Sequence, residues 1–259
     1  MPSLNAKSQQ TGFTLIEMII VIVLGGIVAS MTTSILTLPI QAYVDSSRRA
    51  TLTDVAELSL QRMQRDIHRA LPNSIRISAD GNTLELLHLV DGGRYRSKLA
   101  SDASGDILDF SIADTGFDVL GNLQNFTNIT TASDLLVVYP LNTTGGNAYN
   151  GDNSVIINAS STASHLSFSA TQFPYKSPQR RFYIIDTPVT YHCDTSATAP
   201  KDKQLLRCAA YPIQTIQPVP PTSGSAIQAN YLASCKFSYD SGSSTRSGLL
   251  TIELIMADE

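Results

Sequence analysis

Gly12-Phe13-Thr14-Leu15-Ile16-Glu17-Met18-Ile19-Ile20-Val21-Ile22-Val23-Leu24-Gly25-Gly26-Ile27-Val28-Ala29-Ser30-Met31 decides how the rest of the chain is read. A short polar leader, Met1 to Gly12, precedes it. From Met18 to about Leu38 the run is predominantly apolar and long enough to cross a bilayer. Glu17 stands at its edge with no cationic residue beside it in the sequence. A carboxylate in lipid is costly, so an acid in that place points to a function. An ordinary secretory signal puts its basic region first, then roughly 7–15 apolar residues, then a small-residue cleavage site. Here only Lys7 is basic in the leader, and the candidate cut lies before the apolar core.

The order of polar leader, Gly12, Phe13, Glu17 and membrane helix resembles the type IV prepilins and pseudopilins. The resemblance implies that a prepilin peptidase cuts between Gly12 and Phe13 and methylates the new N-terminus at Phe13. Glu17 becomes the fifth residue of the mature chain. Its implied role is subunit assembly, by pairing with the N-terminal amine of a neighbouring subunit inside the membrane. Pairing offsets part of the desolvation cost of both charges.

Later stretches narrow the resemblance. Gln64–Arg76 and the ending Arg246–Leu254 resemble the J-type minor pseudopilins. Asp114–Gly121 and Tyr183–Cys193 are similar to the J-like minor pilin group of the mannose-sensitive haemagglutinin (MSHA) pilus. A minor pilin that primes or caps a filament is implied. Its partners would be prepilin peptidase, other minor pilins, the major pilin and an inner-membrane assembly platform. It would cross the bacterial inner membrane once, with its head in the periplasm. Two alternatives stay open: a J-type minor pseudopilin of a type II secretion system, and a pilus-tip adhesin that binds surface glycans.

The expected plan is α+β, a long N-terminal helix packed on an antiparallel β-sheet head. Residues 1–12 are the leader, 13–40 the transmembrane helix, 41–71 its periplasmic half and 72–259 the β-rich head. Pro39 is expected to bend the helix and Pro72 to end it. Leu52, Ala56, Leu60, Met63, Ile67 and Leu71 recur at spacings of three and four, which predicts a narrow apolar stripe. After Pro72 short runs of strand character alternate with Gly, Ser, Asn, Thr and Pro. Thr83–Leu89 and Tyr95–Leu99 read as a hairpin about Asp91-Gly92-Gly93. Further strands are expected at Ile107–Phe110, Leu135–Tyr139, Val155–Ile157, His165–Phe168, Arg181–Asp186, Val189–Cys193, Leu205–Ala209, Cys235–Tyr239 and Leu249–Met256. Ile216–Gln228, with three prolines, reads as a loop.

With 259 residues, a helix of about 60 leaves roughly 190 for one head domain with its own core. The 18 basic and 22 acidic residues give a formal charge of −4, and the mean hydropathy is near zero. No basic tract suggests nucleic acid, and no block of like charge suggests a disordered tail.

Three cysteines, Cys193, Cys208 and Cys235, would lie in an oxidising compartment if the head is periplasmic. Cys193 and Cys208 flank a hairpin-like segment and are one candidate pair. Similarity to the MSHA relatives favours Cys193–Cys235 instead. Three buried, reduced thiols are the third reading.

Catalytic signatures are missing. His68, His88, His165 and His192 are widely separated, with no metal-ligand spacing, and no Gly-x-Ser-x-Gly or phosphate-cradling loop occurs. No catalytic residue, metal or cofactor is therefore assigned, and the chain is not expected to be an enzyme. Asp102-Ala-Ser-Gly-Asp106 has oxygen ligands at alternate positions, as a calcium loop would, but is short and reads as a solvated turn. Tyr139, Tyr149, Tyr175 and Tyr183 read as core aromatics before they read as a sugar-binding surface.

Overall fold

The computed structural model describes residues 12–222, 224–242 and 248–257. The leader before Gly12, and Arg246-Ser247 of the final stretch, lie outside the described residues. The chain divides into two compact units, Met1–Thr51 and Leu52–Glu259. One helix, α1 (Leu15–His68, 54 residues), contributes to both. The architecture is α+β: among the described residues this helix is followed by antiparallel strands and three single-turn 3-10 helices.

In the first unit α1 buries almost nothing. Ile16, Val21, Val28 and Ile35 are all more than half exposed. Three of its hydroxyls are satisfied by the helix itself. Ser30 Oγ donates to Ile27 O at 3.0 Å, Thr32 Oγ1 to Val28 O at 2.8 Å and Thr51 Oγ1 to Ser47 O at 3.0 Å. Such back-bonding gives each of these three donors a partner within its own helix. The helix continues through Pro39, whose missing N–H removes one bond without ending the element. The segment is long and apolar enough to cross a membrane.

In the second unit the end of α1 packs on the sheet, and the sequence-derived stripe needs one correction. Met63 is fully buried and Val55 and Ile67 pack beside it, but Leu60 is 39% exposed. The buried position is Ser59, whose Oγ lies 2.7 Å from Val55 O and 3.0 Å from Gln228 O. A strand backbone approaches the helix there, and a small hydroxyl both fits the gap and satisfies the carbonyl. The helix also stops before Pro72. The Leu71 amide donates to Leu87 O at 2.8 Å and the Leu89 amide to Arg69 O at 2.8 Å, so residues 69–71 leave the helix to pair with a strand.

The main sheet is built on two long strands, β2 (Thr83–Arg94) and β7 (Arg181–Asp194), paired antiparallel. β1 (Arg76–Ile77) flanks β2. β7 has two successive partners on its other edge. Its first half pairs with β4 (Leu135–Val138), which carries β5 (Ser154–Ile156). Its second half pairs with β8 (Gln204–Ala209), which carries β9 (Ser225–Ala229). Pro188 sits between the two partners, where a missing N–H costs no ladder bond on that edge. The two runs expected from the sequence are thus one strand. Two ribbons complete the head: β3 (Asp114–Asp118) with β6 (His165–Thr171), and β10 (Leu232–Asp240) with β11 (Leu249–Met256).

Three strand-level expectations fail. Asp91-Gly92-Gly93 is no hairpin turn: both glycines lie within β2, opposite Tyr183 and Phe182. A Cβ on Gly93 would sit 2.9 Å from the Phe182 ring, so the glycine marks close packing and not a reversal. Ile107–Phe110 forms no strand, although Leu108 is buried. The expected loop Ile216–Gln228 ends inside β9, because β8 supplies an edge that a single sequence cannot reveal.

Candidate functional site

The described part of the motif begins at Gly12. A Cβ built there meets nothing within 4 Å, so the chain's own fold gives no steric reason for glycine. A requirement for the smallest residue at that point would come from another molecule. Phe13 is 81% exposed, and the Met18 amide closes onto Thr14 O at 3.2 Å as the helix begins. Glu17 lies in the first turn, exposed, between Ile16 and Met18. A carboxylate near a helix N-terminus is favoured by the exposed amides there. Gly25 and Gly26 also have open space where a side chain would stand.

In the head, Cys193 of β7 is bonded to Cys235 of β10, with Cα atoms 5.9 Å apart, and Cys208 is free and buried. The register explains the choice. Cys193 faces Leu205 on β8, whereas Cys208 faces Thr190, three positions along the same ladder.

The other sequence candidates do not converge on one site. Asp102 Oδ1 accepts from Ser104 N at 3.0 Å and Ser104 Oγ at 2.6 Å, which closes its own turn. Asp106 belongs to a different group, 4.0 Å from His165 Nε2 and near Asp114 and Asp118. Burial first, and then those two carboxylates, push the Asp106 acid upward. Asp118 is held down, chiefly by the Asp106 amide and by His165 at 3.1 Å. Tyr149 is core, and its OH donates to Ser74 O at 2.9 Å. Tyr139 and Tyr183 share an open groove of about 250 Å³ with Asn73, Pro140 and Arg181, while Tyr175 lies outside it. Of the four histidines, His88 meets Asp186 at 2.9 Å, and His192 Nδ1 meets Thr83 Oγ1 at 2.8 Å.

Sequence reasoning missed the buried charge network. Glu85, with none of its surface exposed, meets Arg76 Nε at 2.6 Å and accepts from Tyr211 OH at 2.9 Å. Thr190 and Tyr211 share a further hydroxyl contact. Arg76 also donates to the carbonyls of Gln214 and Thr215 and stacks 3.6 Å over the Tyr149 ring. Burial pushes the Tyr211 hydroxyl far above its ordinary range, and the Glu85 charge reinforces this. Every partner is provided within the protein, so the network joins β1, β2, β7 and the segment after β8. The sequence signal was an acid, Glu85, set among Leu84, Leu86 and Leu87.

Comparison with known proteins singles out the N-terminus. Residues 7–33 match the family model described as the prokaryotic N-terminal methylation motif, a span that includes Gly12, Phe13 and Glu17. No curated protein and no solved structure matches the chain. The motif supports a type IV pilin-like or pseudopilin protein, with the processing by prepilin peptidase and the pilin assembly machinery that the motif implies.

Proposed function

We propose that this chain is a minor pilin of an MSHA-type type IV pilus, acting in assembly or priming of the filament. The carrying observation is the methylation motif at the start of a 54-residue helix whose first unit leaves its apolar side chains uncovered. Prepilin peptidase cuts between Gly12 and Phe13, and Phe13 is methylated. The leader is lost and the anchor is kept in the inner membrane, with the head in the periplasm. Glu17 then receives the Phe13 amine of a neighbouring pilin. The exposed apolar face and the open glycines at 25 and 26 suit packing against other pilin helices. A J-type pseudopilin of type II secretion is the second reading, favoured by the likeness of Gln64–Arg76 to that group. The genes flanking this one separate the two: a pilin cluster with its own assembly ATPase, or a secretin operon with secreted hydrolases.

Mass analysis of protein extracted from membranes should find an N-terminus at methylated Phe13, and any other N-terminus refutes the processing. Glu17→Ala should leave cleavage intact but reduce co-purification with other pilins. Equal recovery of mutant and parent would show that the acid is dispensable.

A further inference from the structure

Arg62 and Arg65 lie about one turn apart near the end of α1, and Arg69 follows that end directly, its amide still donating to Arg65 O at 3.2 Å. Arg207 of β8 and Gln228 of β9 line the same pocket, of about 380 Å³, as does Asp66. All six residues belong to the second unit. Asp66 is already neutralised. Its Oδ2 accepts from Arg207 Nε at 2.7 Å and from Tyr191 OH at 2.8 Å. Arg62 is held by Gln228, through Nη1 to Oε1 at 3.0 Å, a neutral partner that leaves its charge uncompensated. Among the described residues no carboxylate pairs with Arg62, Arg65 or Arg69. In the adjoining cleft, Asp186 is engaged by His88.

A formally acidic protein thus gathers an excess of guanidinium charge in one pocket, with two of the four side chains fixed by partners. Fixed donors lose less freedom when an anion arrives, and guanidinium forks match carboxylate geometry. We propose that this pocket docks a protein segment carrying several closely spaced carboxylates. At the helical rise of ~1.5 Å per residue the seven steps from Arg62 to Arg69 span roughly 10 Å, so one small oxyanion would engage only part of the row. Acidic side chains strung along a peptide span it. A long nucleic-acid polyanion is disfavoured by the net charge of −4 and by the lack of any aromatic ring in the lining on which bases could stack. The inference does not depend on the N-terminal processing, and its test does not read it.

Full-length protein in detergent would be titrated into a fluorescent peptide with four glutamates at every second position, and anisotropy recorded near physiological salt. Saturable one-to-one binding is expected. R65Q/R69Q should weaken it by at least about tenfold, whereas K98Q/K201Q, with the same change in net charge, should alter it less than about twofold. A photoreactive version of the peptide should attach within residues 62–69 or 204–209 of the parent protein. That readout holds even if R65Q/R69Q fails to fold. No saturable binding, equal loss in both variants, or attachment elsewhere overturns the proposal. So does displacement of the peptide by millimolar inorganic phosphate, or tighter binding of a single-stranded oligonucleotide at the same arginines.

Discussion

Glu85 is accommodated in the buried sheet because Arg76 and Tyr211 both reach it. Removing one partner leaves a buried acceptor under-satisfied. Tyr211→Phe should therefore cost about 1–3 kcal/mol in urea unfolding. Glu85→Ala should cost more, about 3–5 kcal/mol, because it removes the carboxylate paired with Arg76 and also the acceptor of the buried Tyr211 hydroxyl. A cost near zero for both would mean that water takes over these bonds. His192 carries a second residue-scale prediction. Burial holds its ring below the ordinary histidine value of 6.5. In the pH range between that depressed value and 6.5 the unfolded chain binds a proton that the native ring resists. Stability contributed by the neutral ring is therefore full at pH 7.5 and declines as the pH falls below 6.5. His192→Gln should flatten this part of the stability curve, and an unchanged slope would assign it to other groups.

At the scale of the element, α1 shows how a helix face is chosen. Periodicity nominated Leu60, but the neighbouring Ser59 is the residue that meets the sheet. Leu60→Ala should change stability by less than about 0.5 kcal/mol, whereas Met63→Ala, from a fully buried site, should cost about 2–5 kcal/mol. Ser59→Leu has to displace the β9 backbone and should cost about 1–3 kcal/mol. If Leu60→Ala proved the worse of the two positions, the stripe would follow the sequence period after all. Gly93 makes the same point for β2. Gly93→Val would push Cβ into the Phe182 ring, in the middle of the cluster that contains Phe117 and Phe168.

At the scale of the whole molecule, the Cys193–Cys235 bond ties the β10–β11 ribbon to the end of β7 in the main sheet. It spans 42 residues of sequence. Closing a loop of that length stabilises a fold by roughly 4 kcal/mol in the chain-entropy picture. Cys193→Ser/Cys235→Ser should lose most of that. Cys208 is buried, and burial pushes its thiol upward, so it should resist alkylation until the head unfolds. Peptide mapping without reductant checks the pairing, and Cys208 in any disulfide would contradict it.

Local chemistry made much of this protein legible in sequence. The apolar run after Gly12, the helical period beyond it, the β-branched apolar run Leu135–Val138 and the alternation in His165–Phe168 are patterns between near neighbours, and they carried the α+β class. The methylation motif was legible for the same reason, because it is a short, contiguous signal. What the sequence left open depended on chain segments brought together from far apart. Cys193 could be matched to Cys235 or Cys208 until the β7–β8 register excluded the latter. Gly92-Gly93 looked like a turn until Phe182 occupied the space where side chains would stand. Arg207, 141 residues from Asp66, completes a pocket that no helical spacing could announce. Patterns of backbone preference are written along the chain. The partners of a buried charge, a thiol or a close-packed glycine are set by the tertiary fold, because only folding brings distant atoms within bonding range and removes the water that would otherwise satisfy them.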